Sequence, residues 1–114
     1  MPKLWNPPSV AAPFGNYTQC SEVQAGERLL YMAGQVGVMP DGTMANGIEA
    51  QAEQALRNIA AILDANDMGP KNIVKLATFP IRTDFIKGYA EARAKVLGDI
   101  KPPNTLLVVH ALGN

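Results

Sequence analysis

The chain has few of the residues that build disulfides and metal centres, and it has no excess charge. Its 114 residues include one cysteine and one histidine, and ten basic residues balance ten acidic ones. A lone cysteine cannot form an internal disulfide, and a lone histidine excludes sites that take two histidines from one chain. Balanced charge gives no field that would attract nucleic acid or an anionic membrane. We therefore expect no metal, no nucleic acid and no membrane partner.

Long apolar runs are also missing from the sequence. None approaches the roughly 20 residues needed to cross a bilayer, and no basic segment followed by an apolar run marks a secretion signal. We therefore expect a cytoplasmic protein. Hydrophobic residues make up 47% of the chain and charged residues 18%. This composition and length predict one compact domain over residues 1–114.

The hydrophobic pattern predicts the order strand, strand, helix, strand, helix, strand. The predicted strands are "YTQCSEVQ", "GERLLYMAGQVGV", "NIVKLATFPI" and "NTLLVVHALGN". We expect the first two to pair as a hairpin, the third to stop at Pro80 and the last to be buried. The proline-rich opening "MPKLWNPPSVAAPFGN" predicts an extended or irregular arm.

Two amphipathic helices account for the remaining apolar positions. The first is predicted to begin near Ile48 and to end near "NDMG", where Gly69 and Pro70 stop it. The second is "FIKGYAEARAKVLGD", which Thr83 or Asp84 can cap. Strand pairs mixed with helices on one face predict an α+β fold with one mixed sheet. The uncovered sheet face favours an oligomer.

Isolated reactive residues give little support to common catalytic classes. His110 lies in an apolar strand pattern, which favours a structural role, and Cys20 has no obvious activating base beside it. The segment "GQVGVMPDG" lacks the lysine and the glycine spacing of nucleotide-binding loops. Its Gly34 is better explained by close backbone approach at a strand end. We expect no organic cofactor.

Several motifs taken together resemble the Rid family, also called the YjgF family, in order and spacing. They are "GNYTQC", "YMAGQVGV" with "PDG", "QAEQALRNIAAIL", "NIVKLATFPI" with "DF", and "PPNTLLVV". The resemblance covers essentially the whole chain. It implies a chorismate-mutase-like α+β fold assembled as a homotrimer, with ligand clefts between subunits. It also implies hydrolysis of enamine and imine intermediates to a keto acid and ammonia.

The resemblance assigns roles to individual residues. Tyr17 matches a tyrosine that lines the cleft, where its hydroxyl could position water or the imine nitrogen; it could equally be a tyrosine at the sheet rim with a solvent-facing tip. Gly34 matches a glycine whose backbone faces the ligand, and Gln35 follows it. Thr105 completes the predicted ligand contacts near the last strand. Tyr89 stands where archetypal members tend to carry an asparagine.

The main departure from the family pattern is at Asn104. The motif P-A-R-S places an arginine where this chain has Asn104 in "PPNT". A guanidinium grips a carboxylate with two parallel hydrogen bonds, which a neutral amide cannot copy. At ~4 Å and an effective dielectric of ~20, the lost attraction is of order 4 kcal/mol. Leu106 also replaces a small or thiol-bearing residue.

The family pattern further calls for a late glutamate on a strand beyond residue 114, so we expect the natural chain to extend past Asn114.

Three functions remain open. The first is an imine or enamine hydrolase acting on a non-archetypal substrate through Tyr17 and Asn104. In it, Arg93 could supply charge, although a solvated helix face is its other interpretation. The second is a non-catalytic trimer that binds a small metabolite. The third is an interaction with RNA, as in translation inhibition or RNA cleavage, and the balanced charge and the lack of interleaved basic and aromatic residues disfavour it.

Overall fold

The computed structural model of the chain describes residues 1–113, which form two helices that pack against each other and two short two-stranded sheets. The strands are β1 (Lys3–Trp5), β2 (Cys20–Glu22), β3 (Leu76–Thr78) and β4 (Asn104–Leu106). The helices are α1 (Ile48–Ala65) and α2 (Ile86–Leu97), and single 3₁₀ turns cover Pro70–Asn72 and Thr83–Phe85. This is the α+β class that the sequence predicts.

Helix α1 begins at Ile48, where the hydrophobic period places it. Gly47 precedes it with a φ of 85°, a conformation that glycine adopts without a steric penalty. The predicted stop at Gly69 and Pro70 comes too late, because the chain leaves the helix at Asn66 and reverses at Asp67, whose φ is 60°. Short aspartate side chains tolerate this left-handed conformation.

Helix α2 is confirmed, but its start differs from the prediction. Phe85 occupies the N-cap position and makes no side-chain cap, so neither Thr83 nor Asp84 caps the helix. Asp84 instead accepts hydrogen bonds of 2.9 and 2.6 Å from Arg82. That pairing raises the pKa of Arg82 above its ordinary value. At the other end, Gly98 has a φ of 61° and ends the helix as expected.

The strand pairing differs from the predicted hairpin. Strand β2 pairs antiparallel with β1, with Lys3 opposite Glu22, and β3 pairs parallel with β4, with Leu76 opposite Asn104. The hairpin prediction is wrong because the proline-rich arm contributes β1, a proline-free stretch that can pair with β2. The two pairs form separate two-stranded sheets in the described residues, so one mixed sheet is not confirmed.

The strand after "NIVK" ends before Pro80, as predicted. β3 stops at Thr78, and the Pro80 carbonyl accepts a hydrogen bond of 2.9 Å from Val109. The last strand, by contrast, is not the buried strand that its composition predicts. β4 is three residues long, and the side chains of Leu107 and Val108 after it are 53% and 42% exposed.

The core lies where α1 meets α2. Its buried side chains are those of Leu56, Leu63, Ile73, Ala92 and Leu97. Above the core, Glu53 of α1 binds two cations, with Lys95 of α2 at 2.9 Å and Arg57 at 2.8 Å. The hydrogen bonds from Lys95 and then Arg57 hold the pKa of Glu53 below its ordinary 4.5. This carboxylate therefore links the two helices while it is ionised.

We expect Glu53→Gln to lower the melting temperature at pH 7 and to have a vanishing effect in acid. A carboxyl whose pKa is lowered by folding stabilises the fold above its unfolded pKa, and that stabilisation disappears as pH falls through the folded value. Thermal melts from pH 7 down to below 4.5 measure this. Glu91→Gln, on the exposed side of α2, is the matched control. A Glu53→Gln deficit that persists unchanged in acid would contradict the ion-pair role.

Candidate functional site

Three polar side chains meet between β3, α2 and β4, and we call them the polar cluster: Thr78, Tyr89 and Asn104. The hydroxyl oxygen of Thr78 lies 3.1 Å from Tyr89 Oη and 3.2 Å from Asn104 Oδ1. Asn104 Oδ1 can only accept, so Thr78 donates its single hydroxyl proton to it. The Tyr89 hydroxyl therefore donates to the Thr78 oxygen. All three side chains are half-buried. The cluster brings together two of the residues that the sequence assigned to a site.

The parallel crossover explains why these residues meet. Because β3 and β4 are parallel, α2 must run back across them, so its start lies over the end of β3 and its end approaches the start of β4. Successive strand residues face opposite sides of a sheet. Asn104 faces α2, and Thr105 therefore faces away, where it accepts a hydrogen bond of 2.7 Å from Lys75 Nζ. Asn104 and Thr105 thus lie on different sides of the strand.

Tyr17 lies in the loop before β2 and forms no hydrogen bond with the polar cluster within residues 1–113. Its hydroxyl accepts a hydrogen bond of 3.2 Å from the Phe14 backbone. The next residue, Thr18, donates a 2.8 Å hydrogen bond to the carbonyl of Lys101. That contact ties the Tyr17 loop to the segment that leads directly into β4 and Asn104.

Gly34 and Gln35 lie in a segment that forms no strand. Gly34 is exposed, and a Cβ built on it meets nothing within 4 Å, so the explanation by close backbone approach is wrong. The close approach occurs instead at Gly37, where a Cβ would lie 2.5 Å from Gln51 Cα of α1. Gln35 makes a local contact of 3.4 Å with the Ala33 carbonyl. The Gly34 backbone is therefore free of packing constraints within the described part of the chain.

Cys20 and His110 occupy separate surroundings. Cys20 is half-buried and lines an open groove with Tyr31, Lys75 and Pro103. His110 is exposed after β4, so its predicted place inside a buried strand is wrong. Among residues 1–113, no three histidine, cysteine or acidic side chains are grouped as a metal site would require. The helices in that range are too short or too polar to cross a bilayer.

The burial of Arg93 differs from what the sequence predicts. The sequence favoured a solvated helix face, but Arg93 is only 8% exposed, so that interpretation is wrong. Its Nη2 atom is buried, and no hydrogen-bond partner for it lies within the described part of the chain. Thr78 was also missed. The sequence signal for Arg93 was its position four residues after Tyr89, which places both on one side of α2.

The fold and the polar cluster define a class of small α+β proteins in which a helical crossover covers a parallel strand pair. A sequence profile described as Endoribonuclease L-PSP matches residues 8–114. The chain therefore belongs to this family, which is the Rid or YjgF family.

Similar proteins match different parts of the chain. A RutC family protein of Pyrococcus horikoshii is 33% identical over 103 residues, covering 88% of this chain and 79% of that protein. A RutC family protein of Aquifex aeolicus is 33% identical over 73 residues, but the match spans only 56% of its length. The mouse 2-iminobutanoate/2-iminopropanoate deaminase is 36% identical over 66 residues, covering 56% of this chain and 47% of the mouse protein.

Solved structures support the same fold. A Rid family protein of Yersinia pestis superposes with a TM-score of 0.81 at 24% identity, covering 99% of this chain and 89% of its own. RidA from an Antarctic Psychrobacter superposes with a TM-score of 0.71 at 28% identity, covering 90% of this chain and 81% of its own. The chain thus has the fold of Rid proteins.

We expect Thr78→Val and Tyr89→Phe to destabilise the fold by about 1 kcal/mol each, because each removes a partner of a half-buried hydrogen bond. The double variant should lose less stability than the two single variants added together, by about 0.5 kcal/mol or more. Both single variants remove the same hydrogen bond between Thr78 and Tyr89, so the sum counts it twice. Denaturant melts of the four proteins measure this coupling. Strict additivity would contradict the cluster, and Thr83→Val on the exposed 3₁₀ turn is the control.

Proposed function

We propose that the protein hydrolyses reactive imines, and enamines after their tautomerisation, to a carbonyl compound and ammonia. Water oxygen adds to the imine carbon, protons pass to nitrogen, and the C–N bond breaks as ammonia leaves. The reaction consumes only water and the substrate. The observation that carries this proposal is the polar cluster, which joins Tyr89 and Asn104 in a chain that matches the Rid family profile.

The roles within the site follow from the chemistry of each group. The Tyr17 hydroxyl and the Asn104 amide are proposed to hold the attacking water and the imine nitrogen, since both groups donate and accept hydrogen bonds. The exposed Gly34 backbone, Gln35 and Tyr89 are proposed to contact the ligand. Thr105 was expected to do so too, but it lies on the other side of β4, where Lys75 binds it. Support comes from the similar mouse protein, which is a 2-iminobutanoate/2-iminopropanoate deaminase.

The substrate is proposed to differ from a simple 2-imino acid held in the archetypal way. Asn104 carries no charge, so it cannot form the bidentate ion pair that an arginine makes with a carboxylate. Even ~3 kcal/mol of lost interaction weakens affinity by about two orders of magnitude. The same observation favours a second candidate, a protein that binds a metabolite in these clefts without turnover.

We further propose that the chain works as a cytoplasmic homotrimer with ligand clefts between subunits. The face of the β3–β4 pair away from α2 supports this assembly. It leaves Phe79 and Leu107 46% and 53% exposed, and the nearby Tyr31 is 91% exposed. Apolar side chains on a sheet face are stabilised when a second surface covers them. A partner subunit could also bring its own loop to the start of β4.

Ammonia release tests the catalytic proposal. We expect the unmodified protein to hydrolyse 2-iminobutanoate, generated in situ, slowly. Asn104→Arg should increase kcat/KM for this substrate by up to about two orders of magnitude through the restored carboxylate contact. Lys101→Arg, which adds a guanidinium on the exposed segment before β4, is the control. Full activity in the unmodified protein would show that Asn104 does not limit this substrate. Ligand binding with no ammonia from any imine would favour the second candidate.

Sedimentation velocity tests the assembly. We expect a species of three 12.2 kDa chains. Leu107→Glu should shift it toward the monomer, because a carboxylate would be buried at the proposed contact without a partner. Lys87→Glu, an exposed change of charge on α2, should leave the trimer intact. A monomeric unmodified protein, or a trimer unaffected by Leu107→Glu, would contradict the assembly.

A further inference from the structure

The carboxamide of Asn104 is held in one orientation by Thr78. The Thr78 hydroxyl donates to Asn104 Oδ1 over 3.2 Å, and the same oxygen accepts from the Tyr89 hydroxyl over 3.1 Å. A hydroxyl carries one proton, so the direction of donation runs from Tyr89 through Thr78 to Asn104. With Oδ1 engaged by Thr78, the Nδ2 atom of Asn104 is the part of the amide that is left for another partner.

Asn104 Nδ2 is accessible from outside the polar cluster. It donates no hydrogen bond within residues 1–113, and Asn104 is half-buried. In that range the only side-chain nitrogen or oxygen that is both buried and without a partner is Nη2 of Arg93. Asn104 Nδ2 therefore keeps accessible surface, and its two N–H groups are open to a ligand.

Tyr89 offers the opposite kind of group. Its hydroxyl proton is given to Thr78, so the phenol oxygen has a lone pair to offer and no proton. Tyr89 Oη and Asn104 Oδ1 each lie within one hydrogen bond of the Thr78 hydroxyl. The polar cluster thus presents a donor at Asn104 and an acceptor at Tyr89, close to one another.

The cations beside the polar cluster are not placed to neutralise an acidic ligand. Lys75 Nζ binds the Thr105 hydroxyl at 2.7 Å on the opposite side of β4. Arg93, one helical turn after Tyr89, is 8% exposed, and its Nη2 atom is buried. Asn104 itself is uncharged. A ligand at the cluster therefore meets neutral hydrogen-bonding groups.

We propose that the polar cluster selects a ligand with a neutral carboxamide, whose carbonyl oxygen accepts from Asn104 Nδ2 and whose N–H donates to Tyr89 Oη. This inference rests on the proposed function for the identity of the site, and it names the substrate class as imines that carry a carboxamide. A carboxylate has no proton for Tyr89, and its charge would be desolvated without a cation. The second Nδ2 proton is left for the attacking water or the imine nitrogen. Thr78 is the positioning residue, because it fixes both contacts.

Binding of stable ketone analogues tests the proposal without any turnover. The probes are 2-oxopropanamide, its N,N-dimethyl derivative and pyruvate, which differ in the group beside the ketone. We expect calorimetry to show 2-oxopropanamide binding about threefold to tenfold more tightly than the dimethyl derivative, which lacks the N–H for one neutral hydrogen bond. It should also bind more tightly than pyruvate. Pyruvate binding as tightly as 2-oxopropanamide, or no binding of 2-oxopropanamide, would overturn the proposal.

Tyr89→Phe assigns the N–H contact to the phenol oxygen. The variant should weaken 2-oxopropanamide about threefold to tenfold, because the acceptor for its N–H is lost. The dimethyl derivative does not use that acceptor, so its affinity should stay within about twofold and serves as the internal control. Equal losses for the two amides would overturn the proposal.

Thr78 is tested through selectivity, since a purely structural role would weaken all three probes equally. Thr78→Val frees the Asn104 amide to turn and the Tyr89 proton to meet a carboxylate. The preference for 2-oxopropanamide over pyruvate should therefore fall toward unity, and Thr78→Ser, which restores a hydroxyl, should recover it. Thr83→Val, on the exposed 3₁₀ turn, should leave the preference unchanged. A preference unaltered in Thr78→Val would overturn the positioning role. If Thr78→Val does not fold, the three probes on the unmodified protein and on Tyr89→Phe decide.

Ammonia release separates this inference from the proposed function. It is measured on the imines of 2-oxopropanamide and of pyruvate, both generated in situ. Amide-selective binding without ammonia from either imine removes the hydrolase alone. Ammonia release together with equal binding of the amide and the acid removes the amide selection alone.

Discussion

The return of α2 across the parallel β3–β4 pair is the constraint on which the candidate site depends. Parallel strands cannot be joined by a tight turn, so the chain must cross back over them. Pairing Leu76 with Asn104 fixes the register, and the crossover then sets Tyr89 above both strands. The resulting contacts join Thr78 to residues 11 and 26 positions further along the chain. A slip of one residue would turn Asn104 away from α2.

The rotation of α2 about its own axis is fixed by contacts on its other side. A Cβ built on Gly88 would lie 3.4 Å from Ile48 Cγ2, so Gly88 faces the start of α1, and Lys95 is held by Glu53 at 2.9 Å. Because Gly88 and Lys95 face α1, Tyr89 and Arg93 face the sheet. The exposed ion pair therefore matters less for its own modest energy than for the orientation it helps to define.

The helices could be predicted from the sequence because their signals are local. Apolar spacing located α1 and α2, and Gly98 marked an end. A strand can pair with a segment far away in the sequence. The residues around β2 therefore carry no signal that it pairs with β1, and the hairpin prediction failed. Glycine identity alone could not separate Gly34 from Gly37, since only the packed helix shows which backbone is approached. Arg93 was misjudged because charged residues usually lie in solvent, and period alone does not reveal a buried exception.

Residue 104 also decides the direction of the hydrogen bonds at the site. The asparagine oxygen accepts the proton of Thr78, which leaves the Thr78 lone pairs to accept from Tyr89. An arginine at position 104 offers only donors, so the Thr78 oxygen would accept from the guanidinium. Thr78 could then donate its own proton to the Tyr89 oxygen. The tyrosine oxygen would then receive a hydrogen bond. Asn104 therefore does more than remove a positive charge, because it sets whether the Tyr89 hydroxyl proton is engaged within the protein or available to a ligand.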